Sequence, residues 1–212
     1  IGYFTGAKIE VHTIQMSPLA LVNYTTYDVL KKGGKIPAPP DEEAPAEEDT
    51  PRGKVRCVVV LDIGTEASNL IITDGGKIIW QRPIPLGGNN FTRALTKELK
   101  LTFAKAEHLK RNATKSPDLK RILLALRADL NEFVNEVQKS LAFFTNSQRE
   151  AHIKFLIGMG NAFRLPGLQK YLNEKLQLEV HKLSKFGRLS GDEVIASPVF
   201  NDNMMSMAVA YG

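Results

Sequence analysis

Two glycine turns stand out because each follows an apolar run with the length of a buried strand. The first is Leu61-Asp62-Ile63-Gly64-Thr65. Glycine lets backbone N–H groups approach a phosphate closely, and a carboxylate at a strand end can hold a hydrated Mg²⁺ ion. A phosphate-binding loop has this chemistry. Asp-x-Gly also occurs in ordinary β-turns, so this segment alone leaves both interpretations open.

The second turn, residues 160–167 (GNAFRLPG), runs from a predicted strand into a predicted helix. Pro166 and Gly167 mark the first turn of that helix. Free N–H groups and the helix dipole at this position can receive an anion or the polar edge of a nucleotide. Simple capping of the helix would use the same residues, so this turn also has two interpretations.

A third candidate is the pair Glu107 and Lys110, which lie three residues apart and therefore on one face of a predicted helix. An ion pair on a solvated helix is the default interpretation of such a spacing. The alternative is that both side chains border a ligand.

The elements that position these residues follow from periodicity and turn signals. A β-meander opens the main domain, with a hairpin turn at Asp74-Gly75-Gly76, and a strand, helix and strand close it as a βαβ-type unit. We predict strands at 55–61, 69–73, 77–83, 153–157 and 179–183, and helices at 90–100, 102–112, from Ser116 through Phe144, at 166–175 and near 203–211, with a polar loop at 184–202.

The first 54 residues have a different character. Alternation with period two predicts a strand at Ile9–Ile14, and Ser17-Pro18 predicts the start of a helix that continues to about Leu30. Residues 31–54 contain five prolines, three glycines and a block of acidic residues, which predicts a flexible acidic insertion.

Composition narrows the class of protein. With 212 residues and 43% hydrophobic content the chain can bury a sizeable core, and no apolar run reaches the length of a membrane span. The opening residues resemble neither a start site nor a signal peptide, so we expect the chain to begin within a longer protein. The single cysteine, Cys57, is typical of a core residue in a reducing compartment.

The charge is unevenly distributed. The formal net charge is +5, yet six acidic residues lie within 41–49, so the remainder carries +11. Such a basic body could favour an anionic ligand or a membrane surface, and solvated Lys and Arg on helix faces are the simpler alternative. Basic residues are not interleaved with aromatic ones, so a nucleic-acid partner is not predicted.

The ordered set of motifs resembles a known family. LDIGTEASNLIIT, IPLGGNNFT, AEHLK, a long amphipathic helix and GNAFRLPGLQKYL follow one another as in the second half of the actin, Hsp70 and FtsA superfamily. The segments IPLGGNNFTRALTKELKLTFAKAEHLKR and LPGLQKYLNEKLQLEV are most similar to the type IV pilus assembly protein PilM family. The resemblance covers about residues 7–30 and 55–212.

The resemblance implies an α/β fold: the second half of an actin-like (ribonuclease H-like) ATPase, with a mixed sheet flanked by helices and a small inserted subdomain. It implies three parts: residues 1–30 as the end of the first actin-like half, 31–54 as an insertion, and 55–212 as the second half with its small subdomain at about 87–116.

The resemblance also implies ATP and Mg²⁺ as ligands. Asp62, Gly64 and Thr65 would form the second phosphate loop, with Asp62 holding Mg²⁺ through water; Glu107 and Lys110 would flank the adenosine; and Gly160, Asn161 and Arg164 would form the adenosine loop, supported by Gly167. Gly87 and Gly88 correspond to a structural turn. Asn161 stands where the superfamily usually has a second glycine, and Glu66 places a carboxylate in the phosphate loop, where it would repel phosphate. The family's first phosphate loop lies outside the matched segments, so little hydrolysis is expected of this segment alone, and its catalytic residues are unknown.

For function, the resemblance implies an ATP-binding scaffold of the type IV pilus inner-membrane machinery, cytoplasmic and peripheral to the inner membrane. Its expected partners are a PilN-type cytoplasmic tail, other pilus assembly proteins and further copies of itself. An FtsA-like cell-division protein, or an ATPase or kinase of the same fold, are the alternatives.

Overall fold

A computed structural model of the chain describes residues 2–30, 55–183 and 186–212. The predicted insertion at 31–54, with its predicted flexibility, lies outside the described residues. Within them, five strands form one mixed sheet flanked by helices.

The element bounds agree with most of the sequence predictions. The strands are β1 (Val55–Ile63), β2 (Ser68–Thr73), β3 (Ile78–Ile84), β4 (Ala151–Met159) and β5 (Glu179–Lys182). The helices are α1 (Gly2–Gly6), α2 (Ser17–Tyr24), α3 (Gly88–Leu99), α4 (Phe103–Arg111), α5 (Leu119–Ser147), α6 (Leu168–Leu176), α7 (Asp192–Ile195), α8 (Pro198–Asn203) and α9 (Ala208–Tyr211), with a π-helical turn at Thr25–Leu30 and 3₁₀ turns at Ala113–Lys115, Asn161–Arg164 and Met204–Ser206.

The sheet has the strand order β3-β2-β1-β4-β5. The pairs β1–β2 and β2–β3 are antiparallel, which confirms the predicted β-meander. The hairpin turn between β2 and β3 is closed by Asp74, whose Oδ1 accepts hydrogen bonds of 2.9 Å from the N–H groups of both Gly76 and Lys77. The pairs β1–β4 and β4–β5 are parallel, as a βαβ-type unit requires.

The central strand explains why layers lie on both faces of the sheet. Residues 57–61 of β1 are all buried, which occurs when both faces of a strand are covered. Helix α5 packs on β3, α3 and α6, while α2 packs on β2, β3 and α9. The predicted apolar stripe of α5 is confirmed, because its buried members include Ile122, Leu126 and Phe133.

The strand predicted at Ile9–Ile14 is wrong. The segment has no regular structure and joins no strand of the described sheet. An alternating pattern becomes a strand only where a neighbouring strand can accept and donate its backbone hydrogen bonds. In the described parts of the chain, no such neighbour lies beside these residues, and Ile9 and Ile14 are exposed.

The single helix predicted near Asn203–Tyr211 is also wrong, because the chain forms α8, a 3₁₀ turn and α9 there. The carbonyl of Met205 accepts a hydrogen bond of 3.0 Å from the N–H of Gly160, and the hydroxyl of Ser206 donates to the carbonyl of Asn203 at 2.7 Å. These bonds divert groups that a continuous helix would use. The loop predicted at 184–202 contains α7 and the start of α8, and its residues 184–185 lie outside the described residues.

The turn after β4 is held by an aromatic ring packed on a glycine. Gly158 in β4 lies directly under the buried ring of Phe163, and a Cβ atom at position 158 would overlap that ring. The ring thereby fixes the 3₁₀ turn that follows β4. The absence of a side chain at position 158 is a condition of this packing.

We expect Gly158→Ala to lower the free energy of unfolding by about 1–3 kcal/mol, because the added methyl group overpacks a buried contact. Urea unfolding monitored by circular dichroism measures the change. The matched control is Gly76→Ala, where the nearest atom to a new Cβ is Asp74 Oδ1 at 3.5 Å, an ordinary contact distance. We expect the control to change stability by no more than about 0.5 kcal/mol. Equal effects of the two substitutions would contradict this account of the turn.

Candidate functional site

The two glycine turns meet because the strands that precede them are parallel neighbours. Asp62 in β1 lies opposite Met159 in β4, so the carboxyl ends of both strands reach the same edge of the sheet. Gly160 has φ +90°, in the left-handed region that favours glycine, and a Cβ atom there would overlap the carbonyl oxygen of Ile63. The turn after β4 therefore rests directly on the backbone just before Gly64.

Helix α3 is anchored on the first glycine turn. The N–H groups of Gly88 and Asn89 donate hydrogen bonds of 2.8 Å to the carbonyls of Gly64 and Thr65, respectively. A Cβ atom at Gly87 would lie 2.6 Å from the carbonyl oxygen of Thr65, so this approach also requires glycine. The prediction that Gly87 and Gly88 form a structural turn agrees with these contacts, and Gly88 in addition borders the cleft described next.

A cleft of about 990 Å³, part of it open to solvent, lies where these turns and helices meet. The structure brings all eight sequence-predicted site residues to its wall: Asp62, Gly64, Thr65, Glu107, Lys110, Gly160, Asn161 and Arg164. They come from three segments that are far apart in sequence. Their convergence is a property of the fold, and their role in binding stays a prediction.

Glu107 and Lys110 form an ion pair, but a half-buried one that ties α4 to α3. Lys110 Nζ lies 2.7 Å from Glu107 Oε2 and also donates to the carbonyl of Gly88 at 2.9 Å and to Thr92 Oγ1 at 2.8 Å. Glu107 further accepts hydrogen bonds from Thr92 and Arg111. Burial alone would raise the pKa of Glu107, but the hydrogen bonds from Lys110, Thr92 and Arg111 outweigh it and lower that pKa to about 2.

Asp62 has the opposite electrostatic balance. Burial raises the pKa of this carboxyl above its ordinary value, and a hydrogen bond with the side chain of Asn69 offsets only part of that effect. When the protein itself provides little compensation for a buried carboxylate charge, binding of a cation beside that carboxylate is favourable. Asp62 borders the cleft, so that cation would lie beside the first glycine turn.

The carboxylate of Glu66 is paired with two side chains of α3. Its carboxylate accepts a hydrogen bond of 2.6 Å from Asn89 and forms an ion pair of 3.0 Å with Arg93, both on α3. These hydrogen bonds lower the pKa of Glu66. Its charge is paired with Arg93, and the residue does not line the cleft. The repulsion of phosphate expected from the sequence stays a prediction.

The second glycine turn is braced by the last part of the chain. Arg164 Nη2 donates to the carbonyl of Asn201 at 2.7 Å, and Arg164 Nη1 lies 3.8 Å from the carboxylate of Asp202. Asn161 begins the 3₁₀ turn and does not take a left-handed conformation, since Gly160 supplies the positive φ. Its side chain is exposed at the cleft wall.

Some cleft residues were not predicted from the sequence. Asp202 and Ser206 border the cleft about 40 residues after Gly160, brought there by the hydrogen bonds to Asn201 and Met205. No local motif marks them. Conversely, Gly167 was expected to support the adenosine loop, yet it does not line the cleft: α6 begins at Leu168, and its first turn lies past the cleft wall.

Within the described ranges, no group of three or more His, Cys, Asp or Glu side chains is placed to hold a metal ion. Asp62, whose charge is not paired with a cation of the described residues as those of Glu107 and Asp202 are, fits a hydrated Mg²⁺ that takes most of its other ligands from phosphates and water, the usual mode for this ion. It does not fit a metal held by the protein alone.

Among the described residues, no helix combines the length and apolar character of a membrane span.

Several solved structures have folds similar to that of this chain. The chain is similar to a "PilM-PilN type IV pilus biogenesis complex" with a TM-score of 0.73 and 23% identity, covering 97% of this chain and 53% of that one. It is similar to the ethanolamine utilization protein EutJ from Carboxydothermus hydrogenoformans (TM-score 0.64, 16% identity, 98% and 57% covered) and to MreB5 of Spiroplasma citri bound to ADP (0.53, 14%, 97% and 66%). No curated protein sequence gave a match.

These likenesses show the fold, and they confirm the predicted second half of an actin-like α/β fold with a mixed sheet flanked by helices. The chain spans only about half to two thirds of the length of these structures. The model of the family described as type IV pilus assembly protein PilM matches residues 46–212, which is more than half of the chain. The chain therefore belongs to the PilM family of type IV pilus assembly proteins.

Proposed function

We propose that this chain supplies one wall of an ATP-binding cleft in an assembly protein of the type IV pilus machinery. The observation that carries the proposal is the convergence of eight residues, predicted from three distant segments, on one cleft.

The cleft offers backbone groups to the phosphates. Thr65 lines the cleft, and within the described ranges its N–H group donates to no acceptor, so this N–H group is available to a phosphate oxygen. The cations at the cleft wall are already engaged, because Lys110 and Arg111 contact Glu107, and Arg164 contacts Asn201. Attraction for phosphate would therefore depend on backbone N–H groups and on Mg²⁺, which neutralises phosphate charge and would be held through water by Asp62.

The exposed side chains of residues 2–16 support the proposal that another domain packs against this end of the chain. Five of its large apolar side chains are more than half exposed: Tyr3, Phe4, Ile9, Ile14 and Met16. Such a concentration is typical of a surface that another body covers. We assign residues 1–30 to the end of a first actin-like half, 31–54 to an insertion and 55–212 to the second half, with the small subdomain at about 87–116.

The partner we propose is a PilN-type cytoplasmic tail, since a solved structure similar to this chain is named as a PilM–PilN complex. Recruitment by such a tail would place the protein in the cytoplasm at the inner membrane. Other pilus assembly proteins and further copies of this protein are additional proposed partners. The family match favours this role over that of an FtsA-like cell-division protein.

The first test of this proposal concerns Asp62→Asn. We expect the affinity for Mg²⁺-ATP to fall by about 10- to 100-fold, as for loss of a group that orients a metal ion's water shell. The affinity for ATP in EDTA should change less. Isothermal titration calorimetry measures both affinities. The protein used should include any residues that flank this chain in the cell. Asp118→Asn is the matched control, because Asp118 is exposed and its side chain forms no cap hydrogen bond.

Stability separates this effect from misfolding. Because burial raises the pKa of Asp62, its charge costs folding free energy at neutral pH, and Asn removes that cost. We expect Asp62→Asn without nucleotide to be at least as stable as the unchanged protein at pH 7. A variant that binds Mg²⁺-ATP normally would overturn the assignment of Asp62.

A second prediction follows from the lowered pKa of Glu107. A depressed carboxyl pKa stabilises the fold above the ordinary pKa of 4.5, and this contribution is lost as the pH falls from 4.5 towards about 2. We expect Glu107→Gln to cost about 1–3 kcal/mol at pH 7 and progressively less at pH 4 and below. Urea unfolding at several pH values measures this. Glu174→Gln is the control, since Glu174 is exposed and lies 3.8 Å from Lys170; a cost that stays constant with pH would refute the account.

A third prediction separates a scaffold from an enzyme. A scaffold that uses ATP to hold two half-domains together should release ADP slowly unless a partner is present. We expect slow turnover by the complete protein, accelerated or altered by a PilN-type tail peptide. Steady-state phosphate release and ADP release are the measurements. Fast release of ADP without any partner would favour the ATPase or kinase alternative.

A further inference from the structure

Positive charge is concentrated in the segment between β3 and the middle of α5. Residues 87–127 contain ten Lys and Arg and three Asp and Glu, a net charge of +7. The rest of the chain, with 18 basic and 20 acidic residues, carries −2. The basic character of this protein therefore belongs to one small region, built by α3, α4 and the first half of α5.

Most of these cations point into solvent without a partner. Nine of the ten are exposed, and only Lys110 is half-buried. Arg93 pairs with Glu66, and Arg111 pairs with Glu107. The others form no ion pair within the part of the chain that the structure describes: Lys97, Lys100, Lys105, Lys115, Lys120, Arg121 and Arg127.

On α5 the cations surround an exposed leucine. Lys120, Arg121, Leu124 and Arg127 fall within about 120° of the helix circumference at 3.6 residues per turn, opposite the buried Ile122. Leu124 is 68% exposed. Together, these side chains form a surface that combines positive charge with apolar character.

Helix α3 extends the same face. A groove between α3 and α5 is lined by Arg93 and Lys97 on one side and by Leu124 on the other. Two acids, Glu98 and Asp129, also line it, and burial raises the pKa of Asp129. The groove shares no lining residue with the ATP cleft, so the two surfaces are separate.

A second exposed apolar side chain lies in the same region. Phe103, at the start of α4, is 45% exposed and is flanked in sequence by Lys100 and Lys105. Lys and Arg hold an anionic lipid surface through their head groups, while exposed Leu and Phe side chains enter the boundary between head groups and acyl chains. Single-stranded nucleic acid would need aromatic platforms, and Phe103 is the one aromatic side chain exposed among these cations in the described helices.

We propose that the surface formed by α3, the start of α4 and the first half of α5, here named the basic face, binds anionic phospholipid head groups of a membrane directly. The contact would be peripheral and would add to recruitment by a partner protein. The groove on the basic face shares no lining residue with the cleft, so lipid and nucleotide would not compete for the same side chains.

Co-sedimentation with unilamellar vesicles tests the proposal. The protein, with any residues that flank the chain, is mixed with vesicles of phosphatidylcholine alone or of phosphatidylcholine with phosphatidylglycerol. We expect binding only to the anionic vesicles, decreasing steeply as salt is added. Replacing Lys120, Arg121 and Arg127 by Glu should weaken that binding by at least about tenfold. Glu at positions 120 and 121 suits the first turn of α5, so the variant should fold.

The control carries the same change of charge elsewhere. Arg149, Lys170 and Lys175 are exposed cations outside the basic face, and their joint replacement by Glu should reduce vesicle binding far less. Replacing Leu124 and Phe103 by Ser should weaken binding while leaving the salt dependence in place. Thermal unfolding of each variant verifies folding.

Three results would overturn the proposal. One is equal binding to neutral and anionic vesicles. Another is an equal loss in the control variant, which would show that net charge alone is responsible. The third is binding to polyglutamate or to random-sequence DNA but not to anionic vesicles, which would assign the basic face to an acidic protein or to nucleic acid.

Discussion

The parallel pairing of β1 with β4 is the constraint on which the site depends. Parallel neighbours end at the same edge of a sheet, so the turns that follow them become neighbours although almost 100 residues separate them. The pairing brings Gly160 against the carbonyl of Ile63, where its positive φ and missing side chain allow contact. Without this pairing, Gly64 and Gly160 would be two unrelated β-turns, the interpretation that each one permits on its own.

The remaining cleft wall is attached to this edge by hydrogen bonds in series. The carbonyls of Gly64 and Thr65 receive the first N–H groups of α3, and the carbonyl of Gly88 receives the ammonium group of Lys110 from α4. Each bond satisfies a backbone group that would otherwise be left without a partner at a helix end or a turn. The small helical region is therefore oriented by the glycine turn that it faces, so a shift in one would be transmitted to the other.

Local pattern was enough to predict the strands of the sheet, the stripe of α5 and the residues around both glycine turns, because each depends on spacing within a short window. Local sequence pattern failed where contacts with residues far away in the sequence decide the structure. Ile9–Ile14 alternates like a strand but has no neighbouring strand in the described residues. Glu66 is neutralised by Arg93, 27 residues later, and Asp202 reaches the cleft through tertiary contacts that no motif records.

The electrostatics of the cleft and of the basic face follow opposite rules, and this difference argues for different ligands. Cations at the cleft are held by acids or carbonyls. Under the proposed function, the phosphates would therefore be recognised by directed backbone N–H groups and by a cation near Asp62. Apart from Arg93, which pairs with Glu66, the cations on the basic face are solvated and unpaired within the described residues. Backbone N–H groups with fixed directions suit a ligand of defined shape, such as a nucleotide. Solvated Lys and Arg side chains suit a membrane surface, whose charged head groups can move. Residues 87–127 contribute to both the cleft and the basic face, because their helices present one side to the edge of the sheet and the other side to solvent.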